Sequence, residues 1–103
     1  MPQLQDLLRT VAYASITVAD SATRLTLGNV RGNSGQFAAE KVILTVETAS
    51  IRWRDDGTDP TSTEGHLATV GTVLTLPNRN RIDAFRAIRT SATSATLRVS
   101  YLA

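Results

Sequence analysis

The chain contains no cysteine. Its absence removes a disulfide framework, a thiolate zinc site and a cysteine nucleophile together, so the fold must be held by packing or by assembly. A single histidine, His66, excludes a poly-histidine metal site within one chain. Lysine is nearly missing too, with Lys41 standing alone beside ten arginines. Apolar runs such as 42–44 are far too short to cross a bilayer, which takes about 20 residues. Residues 1–8 lack the basic start and long apolar stretch of a secretory signal, so none is expected.

What is present points to a small β-rich domain. At 103 residues the chain is one domain, near the size at which a single core becomes self-sufficient. A hydrophobic content of 42% is too high for a disordered chain. Fifteen threonines and eight serines make nearly a quarter of it hydroxylated, and threonine suits a half-exposed pleat. Eleven cations and nine anions leave a net charge of only +2. The tightest basic cluster, Arg79, Arg81, Arg86 and Arg89, has Asp83 inside it. That is a weak footprint for nucleic acid, and neither nucleic acid nor membrane is expected as a partner.

Periodicity along the chain is mostly two. Ala14, Ile16 and Val18 share one face, as do Val42, Leu44 and Val46, then Ile51 and Trp53, then Leu97, Val99 and Tyr101. A short alternation at 24–27 precedes a glycine- and asparagine-rich loop at 28–35, and 55–65 is dense in turn formers. Gly71 interrupts the apolar segment 67–76. The segment 81–90 is ambiguous: Ile82, Phe85 and Ile88 suit a helical face, yet a strand pair with an irregularity is the preferred reading. Leu4, Leu7 and Leu8 form a helical stripe at residues 1–10, read as an N-terminal arm or short helix ahead of a domain at 11–103. The expected fold is all-β, an antiparallel β-sandwich or small barrel.

Catalytic constellations are weak. Asp55, Asp56, Asp59 and Glu64 invite a calcium reading, but their spacing fails the D-x-D-x-D-G pattern and Pro60 stiffens the middle. Glu64 and His66 lack a nucleophile in a G-x-S-x-G turn, and 28–35 does not match a P-loop. No catalytic, cofactor or metal residue is therefore assigned. Trp53 reads as a core or interface anchor, with sugar stacking as the sharper alternative. Arginine's planar fork favours interfacial pairing, which singles out Arg52, Arg54, Arg79, Arg81, Arg86 and Arg89, together with Leu4, Leu7 and Leu8, as candidate partner contacts.

Residues 50–65, SIRWRDDGTDPTSTEG, resemble a segment of small virion structural proteins of tailed bacteriophages. An apolar-Arg-aromatic-Arg strand there runs into a D-G-x-x-P-T turn and a glycine-containing loop. The matching residues are Ile51, Arg52, Trp53, Arg54, Asp56, Gly57, Pro60, Thr61 and Gly65, and a looser likeness extends through 73–76, 82–88 and 97–101. The resemblance implies a non-enzymatic decoration or cement protein of the capsid, located in the virion. Its partners would be the major capsid protein or other virion subunits, with a homo-oligomer, most often a trimer. A neck or tail component shares the same setting. A carbohydrate- or receptor-binding module is the remaining alternative, resting on Trp53 and the Asp-rich loop.

Overall fold

The computed structural model describes residues 8–26 and 38–103. Within them lie seven strands: β1 (Thr10–Val18), β2 (Lys41–Glu47), β3 (Ile51–Arg54), β4 (His66–Ala68), β5 (Val73–Leu76), β6 (Arg86–Arg89) and β7 (Ala95–Leu102). One helix, α1 (Arg79–Ala84), accompanies them. The strands form two sheets, in the orders β1-β7-β2-β5 and β4-β3-β6, and every ladder is antiparallel. The all-β reading holds, as a sandwich of two sheets over one shared core.

The two sheets are halves of the same bent strands. β2 passes into β3 through Thr48, a threonine at φ 75°. Its neighbour β4 passes into β5 through Gly71, at φ 92°, whose N–H donates to the Val46 carbonyl at 2.8 Å. β6 continues into β7 through 90–94. Beyond β1 the chain crosses to the edge of β6, where Thr23 and Ala87 exchange backbone hydrogen bonds of 2.8 and 2.9 Å. Four long strands therefore fold over together along one corner line, the device by which strands switch sheets in folded-over sandwiches.

Period-two patterning places the core as expected. Val42, Leu44 and Val46 of β2 and Leu97, Val99 and Tyr101 of β7 are buried between the sheets, with Ile51, Ala68 and Ala87 opposite. The Tyr101 hydroxyl accepts from the Thr26 N–H at 3.3 Å, which satisfies the polar end of the largest buried side chain. Leu25 is buried, but 24–26 does not extend the strand alternation; only Thr23 makes a bridge there.

The segment at 81–90 resolves into both of its readings in succession, not into a strand pair. Asn78 accepts from the Arg81 N–H at 3.0 Å and caps α1, which buries Ile82. Phe85 ends the helix in extended conformation, and β6 follows at once. The preferred strand pair fails because a side-chain cap supplies what a strand partner would have supplied. At the other end, Arg9 and Ala103 exchange backbone hydrogen bonds of 3.1 and 2.9 Å, so pairing begins inside the expected 1–10 arm. Leu8 is half-buried there. Leu4, Leu7 and the expected loop 28–35 lie outside the described residues.

Candidate interaction surfaces

Residues 50–65 are a folded unit on the second sheet. Ile51 and Trp53 face inward and Arg52 and Arg54 outward, as alternation requires. Trp53 stacks on Phe85 at a centroid distance of 5.8 Å and meets the His66 ring at 4.8 Å. Its ring thus anchors α1 to the sheet. The following loop closes back on the sheet: Pro60 is buried, the Gly65 carbonyl accepts from Arg52 Nη1 at 3.3 Å, and Gly57 N–H donates to the Ala84 carbonyl at 3.2 Å. Asp56 accepts from Arg54 Nε at 3.1 Å and from the Thr58 N–H at 3.2 Å. Those two donors hold the Asp56 carboxyl below the usual carboxylate range, the arginine contributing more.

The candidate arginines largely answer this chain's own acceptors. Arg54 pairs with Asp56, Arg79 with Glu40 at 3.1 Å, Arg81 with Asp55 at 3.6 Å and Arg86 with Asp59 at 3.9 Å. Arg89 donates to Ser94 Oγ at 3.3 Å, while Arg52 keeps its Nε buried with no hydrogen-bond partner among the described residues. Arg79 and Arg81 remain more than half exposed and are the two best placed to reach a neighbour.

A second surface was not singled out by sequence. On the outer face of the first sheet, register aligns Ser15 with Arg98 and Thr45, Tyr13 with Ser100 and Ile43, and Thr17 with Thr96 and Glu47. Thr75 and Val73 extend two of these rows. At the centre, Arg98 donates to Glu47 at 3.2 Å and to Ser15 Oγ at 2.6 Å, and the Glu47 carboxylate raises the Arg98 pKa. The large apolar side chains left exposed among the described residues are Tyr13, Leu67, Val70 and Val73, at 60, 54, 56 and 59%. All four lie on the edge chains of the folded sheet. The signal available in sequence was the eleven-residue run 66–76, which carries no Asp, Glu, Lys or Arg.

Two open clefts flank the 55–65 loop. One, of about 500 Å³, lies between Pro60, Thr61 and Ser62 and the 88–92 corner, with Asp20 at its rim. The other, of about 320 Å³, lies among Arg54, Asp55, Asp56, Glu64 and His66. Asp55 and Asp56 are already engaged by arginines, and among the described residues no group of three His, Asp or Glu converges on a metal position. No protein-family model matches the chain, and searches of the curated proteins and of the solved structures return no match. No helix among the described residues is long and apolar enough to cross a membrane.

Proposed function

We propose that this protein is a non-enzymatic structural component of a bacteriophage virion that binds and stabilises the assembled capsid, as a decoration or cement protein. The observation that carries the reading is the outer face of the first sheet. It is four strands wide, with Ser15, Thr17, Thr45, Thr75, Thr96 and Ser100 around one held charge pair, Arg98 and Glu47, and with Tyr13, Ile43 and Val73 interspersed. Such a face loses little side-chain entropy when it meets another protein, because threonine is stiff at χ1 and the arginine is already immobilised. It suits apposition to a broad protein surface. The resemblance of 50–65 to virion proteins supplies the setting, and the major capsid protein is the partner.

Stabilisation follows from linkage. A protein that binds the assembled shell and not its separated subunits adds its binding free energy to the work of disassembly. The test is addition of purified protein to undecorated shells. Binding at a copy number that matches the lattice, with a raised shell melting temperature, is expected. Thr45→Glu, at the centre of the face, is expected to leave the fold intact and abolish binding. Absence of binding overturns the reading, and a copy number of only a few per particle moves the protein to the neck or tail.

A further inference from the structure

We infer that copies of this chain associate head to tail, the outer edge of β1 in one copy pairing with the outer edge of β5 in the next. The proposal goes beyond the capsid-binding reading above, which does not specify self-association. It concerns purified protein alone, so its failure and the failure of capsid binding are separate results.

Three observations converge on a second copy as the occupant. First, neither edge strand carries a guarding charge or proline, although β5 is only four residues long and β1 has a register shift between Thr10 and Ala12. Natural edge strands block pairing with lysine, proline or inward charge. Here β1 (Thr10–Val18) and β5 (Val73–Leu76) contain no charged residue and no proline, and nothing pairs with their outer sides among the described residues. Neither edge would bring the other a charge to bury. Second, apolar surface is concentrated at the edges. Tyr13 is exposed on β1 and Val73 on β5, while inward-facing Ala14, Ile16 and Leu74 stay half-buried although their neighbours on β7 and β2 are fully buried. A strand added at either edge would finish covering them.

Third, direction selects the mode. β1 runs antiparallel to β7, β7 to β2 and β2 to β5, so the two edge strands run opposite ways. Rotation about an axis along the strands preserves strand direction, so β5 of one copy meets β1 of the next as an antiparallel pair. Repetition then continues the same ladder from copy to copy, as a ring where the rotation closes and as an open filament where it does not. A two-fold contact between two β5 edges would leave both β1 edges open, whereas the head-to-tail contact covers both edges at once. Tyr13 supplies the aromatic anchor that such interfaces favour.

The mass of the purified protein in solution, by light scattering, is expected to be a multiple of the 11.1 kDa chain. Tyr13→Lys and Val73→Lys each block one edge, and each is expected to fall to the single-chain mass with an unchanged circular dichroism spectrum. Mixed together they retain one intact contact and are expected to give a one-to-one pair and nothing larger. Because the chain is free of cysteine, single-cysteine variants give an independent reading: Tyr13→Cys mixed with Val73→Cys should cross-link to each other on oxidation. A monomeric parent protein overturns the proposal. So does assembly that survives Tyr13→Lys, or cross-linking confined to Val73→Cys with itself.

Discussion

At Gly65 the backbone adopts φ +130°, and an added Cβ would sit 3.1 Å from the Trp53 carbonyl oxygen and 3.1 Å from the Pro60 Cβ. Both neighbours belong to the same 50–65 segment, so the glycine is what lets the loop close on its own strand. Gly65→Ala is expected to cost about 1–3 kcal/mol in urea denaturation, because neither the backbone nor the proline ring can give way. Gly57→Ala, at φ +82° with open space around it, should cost only the conformational penalty of about 1–2 kcal/mol. Equal costs would show that close approach is not what requires glycine at 65. Thr48 presents the reverse case: a β-branched residue at φ 75°, where Thr48→Asn is expected to stabilise by up to about 1 kcal/mol. Sequence marked 65 as a turn former, yet the reason for glycine there is a contact made only after folding.

Asp56 carries a pH dependence at the same scale. Its folded-state pKa is lowered by Arg54 and the Thr58 N–H, so its contribution is present above the ordinary carboxylate range. Acidification removes it, beginning at the unfolded value near 3.8 and finishing below the folded one. Melting temperature measured from pH 6 down to pH 2 should therefore fall less steeply in Asp56→Asn than in the parent. The difference is small, because the pair is exposed to solvent. A parallel acid limb in the two proteins would remove Asp56 from the account.

Among the elements, α1 shows most clearly where pattern reading stops. Six residues cannot hold a helix by propensity, and the spacing of Ile82 and Phe85 fits a helix as well as an irregular strand. What decides it is Asn78, which caps the first turn, together with burial of Ile82 and the stacking of Phe85 on Trp53. Asn78→Ala is expected to destabilise by about 0.5–2 kcal/mol, while Asn78→Asp keeps the acceptor and should cost little. Ile82→Ala, at a position buried beneath the helix, should cost about 2–5 kcal/mol. β2, β3 and β7 were legible because their inward residues alternate over a full strand, with exceptions at Ile43 and Leu102, which face outward. The candidate arginines were legible as a class but not in their partners. Most of the carboxylates that engage them lie on other elements, as Glu40 does for Arg79 and Asp59 for Arg86.

For the molecule as a whole, the folded-over topology has a consequence for how it unfolds. Period-two patterning located the strands and their inward faces but carries no information on which strand neighbours which. The corner emerges only when β2–β3, β4–β5 and β6–β7 are seen to cross it side by side. Because each sheet is a continuation of the other, and because Leu44, Leu97 and Ile51 share one core, neither sheet keeps a buried face once the other is lost. The domain should therefore unfold in a single transition. Trp53, the only tryptophan, lies in the three-stranded sheet, so its fluorescence reports that half. Far-ultraviolet circular dichroism is weighted towards the four-stranded sheet, which holds the longest strands, β1 and β7. The two signals are expected to give coincident midpoints in urea. Loss of the tryptophan signal at lower urea, with the circular dichroism retained, would mean that the sheets are stabilised separately, contrary to a core shared by continuous bent strands. The same measurement on Ile51→Ala should shift both signals together, since the residue lies in the three-stranded sheet yet belongs to the core of both.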